Sequence, residues 1–139
     1  MTSVDPDPKR PSSDPRRLLV VDDDEETALL LTIGLRKGGF AVEVAVNGLD
    51  ALRKLTQTTY DAVLLDLMIP GLDGLALLRQ LRVERRSALP VVVCSSFIDQ
   101  GHRDEAMAAG ASAYVIKPVR FAVLLETLEK LGVTPASSR

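Results

Sequence analysis

Ala62-Val63-Leu64-Leu65-Asp66-Leu67-Met68-Ile69-Pro70-Gly71-Leu72-Asp73-Gly74 is the stretch that decides the fold. Its apolar run has no polar alternation, as expected of a strand buried on both faces of a parallel sheet. The run ends in a carboxylate, and a Pro/Gly loop follows. An acid at the C-terminal lip of a buried strand sits where open α/β sheets place their chemistry.

Working outward, the same grammar repeats. Leu18-Leu19-Val20-Val21 ends in the acidic cluster Asp22-Asp23-Asp24. Further short apolar runs start near Ala41, Pro90 and Ala113, and the central one starts near Asp61. Helical patterns alternate with them. The first follows the acidic cluster and stops at Gly38-Gly39, a helix-ending signal. The second opens at Asn47-Gly48. The third follows Asp73-Gly74 and carries Leu75, Leu78 and Leu81. A fourth runs from about Gln100 to Ala109 before Gly110, and the last, after Lys117-Pro118, places Leu124, Leu125, Leu128 and Leu131 at core spacing. Five βα units predict an α/β fold: a doubly wound five-stranded parallel sheet, flavodoxin-like (βα)5.

Residues 1–17, rich in Pro, Ser, Asp and Arg, predict a disordered N-terminal tail. Residues 18–131 form the single domain, and 132–139 a flexible C-terminal tail. No run after Leu131 is long enough for a second domain, so output is expected from this one. At 139 residues, with 46% apolar and 26% charged, the composition is that of a soluble domain. A net charge of −2 argues against direct nucleic-acid binding, which needs a basic face. No apolar stretch reaches bilayer-spanning length, so no membrane partner and a cytoplasmic location are expected. The single cysteine, Cys94, cannot form an internal disulfide and reads as a small core residue. His102, the one histidine, reads as a solvated helix residue.

In a doubly wound sheet the C-terminal strand ends share one edge. Along it the chain delivers Asp22, Asp23 and Asp24, then Asp66, then Ser95-Ser96, then Lys117. Carboxylates brought together repel unless a cation lies between them. Hard oxygen ligands suit Mg²⁺, which leaves room for phosphate oxygens. A hydroxyl and an ammonium are natural partners of a phosphoryl group, and a carboxylate beside a metal can be the nucleophile.

Four motifs then resemble the receiver domain of two-component response regulators, in its stand-alone, CheY-like form. They are Val20 to Asp24, Leu65 to Gly74, Val93 to Ser96 and Gly110 to Pro118. The resemblance implies that Asp66 is the phospho-acceptor. Asp22 and Asp23 would position Mg²⁺ together with Asp66 and the Met68 main-chain carbonyl. Ser95 and Lys117 would engage the phosphate, and Ser95 and Tyr114 would act as the switch. The Lys117-Pro118 bond is expected to be cis. The donor would be a phosphohistidine on a sensor histidine kinase or histidine phosphotransfer protein. The chain would be a monomer or a dimer formed on phosphorylation, and its effector is not named by these motifs.

Each residue also has a plainer reading. Asp24 suits a helix N-cap, Ser95 a loop hydroxyl, Lys117 a surface cation and Tyr114 a core ring. A phosphatase or mutase would want a second acid two residues after the nucleophile, where Met68 stands. An FMN site is disfavoured by the acids of the first loop, and a receiver-like module that takes no phosphate would be expected to lack one of these groups. Helical periodicity puts Thr27, Leu30, Leu31 and Leu35 on the core stripe of the first helix and Leu29 with Ile33 opposite, as a docking pair. Met68 and Phe97, beyond Asp66 and Ser95, are expected to shield an acyl phosphate from water.

Overall fold

The computed structural model describes residues 15–69 and 73–135. Residues 1–14 of the expected N-terminal tail (1–17), residues 136–139 of the expected C-terminal tail (132–139), and Pro70, Gly71 and Leu72 of the central motif lie outside the described residues. The apolar runs become five strands: β1 (Arg17–Val21), β2 (Ala41–Ala45), β3 (Ala62–Leu65), β4 (Val91–Ser95) and β5 (Ala113–Ile116). They form one parallel sheet in the order β2-β1-β3-β4-β5, which leaves the acid-bearing β1 and β3 adjacent near the centre.

The helices between them are α1 (Glu25–Lys37), α2 (Gly48–Gln57), α3 (Gly74–Arg79, continued by a π-helical turn, Gln80–Glu84), α4 (Gln100–Ala108) and α5 (Phe121–Lys130). Asp24, Asn47, Asp73 and Asp99 cap the first four, each side chain accepting an otherwise orphaned main-chain N–H. After β1 and β2 the chain therefore passes through a short polar turn that starts a helix at once. Among the described residues no helix is long and apolar enough to cross a membrane.

Alternate residues of the strands face opposite sides, which divides the interior in two. Leu19, Val21, Val63, Leu65, Val91 and Val93 pack with Ala51, Leu77, Leu78, Leu81 and Ala106 of α2 to α4. Leu18, Val20, Leu64, Val92 and Cys94 pack with Ala28, Leu31, Leu35, Leu124 and Leu128 of α1 and α5. Val133, assigned to a flexible tail by its sequence, is buried in this second cluster: Gly132 takes a positive φ of 82° and the Val133 N–H returns to the Leu128 carbonyl at 2.8 Å.

Another expectation is corrected in α1. Its buried stripe is Ala28, Leu31, Thr32 and Leu35, while Leu30 is 58% exposed and joins Leu29 and Ile33 outside. Residues 28 to 31 and 33 are all apolar, so periodicity alone leaves the stripe free to rotate by one residue. The sheet below sets it.

Candidate functional site

Hydrogen bonds continue the sheet one residue past its strands and hold the site in register. The Asp22 N–H donates to the Ala45 carbonyl (3.1 Å), that of Asp66 to Val21 (2.9 Å) and that of Lys117 to Ser95 (2.8 Å). The first polar residue after β1, β3 and β5 thus stays on the ladder. One oxygen from each of Asp22, Asp23 and Asp66 can be chosen so that all three lie within 4.8 Å of one another.

Asp22 is 3% exposed, and both its oxygens are engaged: Oδ1 accepts the Asp24 N–H at 2.9 Å and Oδ2 the Lys117 ammonium at 2.8 Å. Asp66 is held in the same way, Oδ1 by the Met68 N–H at 3.0 Å and Oδ2 by Lys117 at 3.1 Å. Asp23 is exposed at the rim. Asp24 turns away to cap α1, accepting from the N–H and hydroxyl of Thr27.

One ammonium therefore serves two carboxylates, and the charges do not balance. Burial pushes the Asp66 carboxyl above its ordinary range, and neither the Met68 N–H nor Lys117 fully offsets it, while Asp22 adds repulsion. For Lys117, burial acts to lower the value, but the bonds from Asp22 and Asp66 outweigh it and hold the ammonium above its ordinary range. The cluster has oxygen donors and too little positive charge, the condition a hard divalent cation relieves.

Ser95, fully buried at the end of β4, reaches this edge, and its Oγ accepts the Phe97 N–H at 3.1 Å. That leaves its hydroxyl hydrogen to donate elsewhere. Tyr114 is 7% exposed, buried rather than projecting from the surface, and its hydroxyl donates to the Phe97 carbonyl at 2.8 Å. Lys117-Pro118 is cis. Met68 is 65% exposed beside Asp66. Phe97 instead lies flat on the His102 ring, centroids 3.9 Å apart, while His102 keeps 40% of its side chain exposed on α4, as its sequence suggests.

Gly74 is a further positioning residue that its sequence marked only as a helix opener. Its N–H donates to the Leu67 carbonyl at 3.1 Å, and a Cβ there would lie 2.6 Å from Leu67 Cα and 2.9 Å from the Asp66 carbonyl oxygen. Only glycine lets α3 begin this close to the backbone that carries Asp66. A gap of about 380 Å³ between α1 and the β5–α5 loop, lined by Leu30, Leu31, Val119 and Phe121 among others, reaches Lys117. Behind the site Cys94 is buried, and burial pushes its thiol up to about 12.

The profile of the family described as "Response regulator receiver domain" matches residues 18–129. The chain is 39% identical over 109 residues to the transcriptional regulatory protein PrrA of Mycobacterium leprae, covering 76% of this chain and 46% of that protein. It spans less than half the length of the first curated relatives it matches. Among solved structures, a putative response regulator from Chloroflexus aurantiacus superposes with a TM-score of 0.81 at 30% identity, covering 85% of this chain and 98% of that one. The BeF3-activated N-terminal receiver domain of Klebsiella pneumoniae RstA gives 0.77 at 33% identity, covering 83% and 97%.

Proposed function

The chain belongs to the response regulator receiver domain family, and on that premise we propose that it accepts a phosphoryl group on Asp66 from a phosphohistidine of a sensor histidine kinase or histidine phosphotransfer protein. The observation that carries this reading is Lys117 shared between Asp22 and Asp66, with Asp23 at the same edge. An under-neutralised carboxylate at the end of a central strand is a nucleophile held in place.

In the transfer, an Asp66 oxygen forms the new P–O bond as the donor's P–N bond breaks, its electron pair leaving on the imidazole nitrogen. Lys117 is within reach of the charge on the incoming phosphoryl oxygens. Ser95 has a hydroxyl hydrogen to give them. Asp22, Asp23, Asp66 and the Met68 carbonyl would hold one Mg²⁺, whose positive charge would offset that of the phosphoryl group. Exposed Met68 offers no acid or base two residues from the nucleophile, so the chain turns over only its own acyl phosphate and acts as a signalling acceptor.

The donor's protein is expected to cover α1, where Leu29, Leu30 and Ile33 lie exposed beside the gap that leads to Lys117. Incubation with acetyl phosphate and MgCl₂, followed by intact-mass measurement, tests the assignment. Wild type gains one phosphate and Asp66→Asn gains none. A gain that persists in Asp66→Asn removes Asp66 as the acceptor.

A further inference from the structure

His102 and Phe97 form an arrangement that phosphoryl transfer itself does not use. The two rings are nearly parallel, 5° apart, with centroids separated by 3.9 Å. The imidazole is braced at its edge, since Nδ1 lies 2.7 Å from Asp99 Oδ1, and the His102 main-chain N–H donates to Asp99 Oδ2 at 3.1 Å. Asp99 is itself the N-cap of α4, so the ring is fixed to the start of that helix.

Phe97 is the residue through which Ser95 and Tyr114 meet. Its N–H goes to Ser95 Oγ and its carbonyl takes the Tyr114 hydroxyl. Of its three handles, two are main-chain bonds to the site, and the third, the ring, is held by His102. The guanidinium carbon of the next residue of α4, Arg103, lies 5.1 Å from the Tyr114 ring centroid, so consecutive helix residues brace the middle and one end of this connection.

Serine makes the brace matter. A threonine at position 95 would have a restricted χ1 from its own β-methyl, whereas a serine side chain chooses freely among three staggered wells. Here the well is selected from outside, by the Phe97 N–H. That donor stays in place only if residue 97 stays in place. We propose that His102 is a positioning residue for Ser95: by stacking on Phe97 it holds the amide that orients the Ser95 hydroxyl toward an acyl phosphate. The inference rests on the proposed role of Ser95 at the phosphoryl group.

The test compares wild type, His102→Ala, which loses the stack, and His102→Phe, which keeps a flat face over Phe97 without the polar edge. Hydrogen exchange of the Phe97 amide, read by NMR on the full chain, reports the bond to Ser95 with no phosphate present. In His102→Ala this amide should exchange about fivefold faster, and labelling by acetyl phosphate with MgCl₂ should slow by about the same factor, as for loss of one ordinary hydrogen bond. His102→Phe should return both toward wild type, and His102→Ala should add nothing in a Ser95→Ala background. Unchanged exchange in His102→Ala, or no difference between the Ala and Phe variants, overturns the proposal. Melting temperatures separate local loosening from unfolding. If wild type itself gains no phosphate, the functional reading fails, while exchange at Phe97 still decides whether His102 holds the amide.

Discussion

The Lys117 ammonium lies 3.1 Å from Asp66 Oδ2, so the proposed nucleophile is already ion-paired before any phosphoryl group arrives. The same ammonium is 2.8 Å from Asp22, which divides the roles of the surrounding charges. Removing Lys117 raises the negative charge facing a cation. Lys117→Met should therefore bind Mg²⁺ at least as tightly as wild type while losing about 1–3 kcal/mol of stability without metal, less than breaking a fully buried pair. Asp23→Asn should weaken Mg²⁺ about tenfold or more, as loss of one charged ligand implies. Calorimetric titration with MgCl₂ checks both, and equal losses in the two variants contradict the division.

The pH dependence follows from the two shifts at this pair. Asp66 keeps its proton to higher pH when folded than its reference value of 3.8, so the folded state binds more protons in the interval just above that value. Stability from this group falls as pH rises through the interval. Lys117 has the same sign in a different window: its folded value is also raised, so the stability from its charge is held throughout the neutral range and falls only as pH rises beyond 10.5. Without metal, Asp66→Asn should thus melt above wild type near neutral pH, with the gap closing on acidification. MgCl₂ should raise the melting temperature of wild type much more than that of Asp66→Asn. Thermal scans across pH, with and without metal, read both effects.

Two glycines make opposite forecasts. A Cβ on Gly74 meets backbone, Leu67 Cα at 2.6 Å, which cannot swing aside. Gly74→Ala should cost about 2–3 kcal/mol, at the upper end of overpacking, and should disturb the Asp66 site. A Cβ on Gly34 meets the Phe121 ring at 2.1 Å, a side chain only partly buried against the second cluster, which has to be displaced rather than the backbone. There the roughly 1 kcal/mol gained in helix propensity offsets the displacement, so Gly34→Ala should be close to neutral. Urea denaturation of the two variants separates them.

On α1, the exposed apolar residues bear on the donor rather than the fold. Leu29→Glu with Ile33→Lys should slow phosphorylation by a histidine-kinase donor about tenfold, as for loss of one interface hot spot, and leave labelling by acetyl phosphate unchanged. Equal loss with both donors would mean that the site itself is disturbed.

For signal lifetime, Met68, exposed two residues beyond Asp66, is the apolar side chain still free to shield it, because the Phe97 ring is stacked on His102. Met68→Asn, which can orient a water, should speed loss of the acyl phosphate, and Phe97→Glu alone should change it less. Phosphate decay followed by intact mass distinguishes them, and unchanged decay in both variants would place control of lifetime elsewhere.

Strands and acids were legible because each is local: a run of Val and Leu ending in Asp states both the burial and the edge. The metal-facing grouping of Asp22, Asp23 and Asp66 followed once parallel order put those ends together. Leu30 was misplaced because α1 is apolar over most of its circumference, so its period does not select a face. Val133 was missed because a single valine after a glycine carries no periodicity. The Phe97–His102 stack joins a loop to a helix turn five residues on, and no spacing rule predicts where a loop ring rests. A histidine shortly after an aspartate that caps a helix, with an aromatic two residues before that cap, was the available signal.

Cys94 sits inside the sheet beneath the acids, and burial keeps its thiol protonated far above neutral pH. Since the thiolate is the species that reacts, the folded chain presents no competing nucleophile to maleimide or nitroxide reagents. A spin label or fluorophore placed through an engineered cysteine on α4 or α5 would therefore be the sole reporter in an otherwise native protein, and the movement of those helices could be followed without first mutating the core.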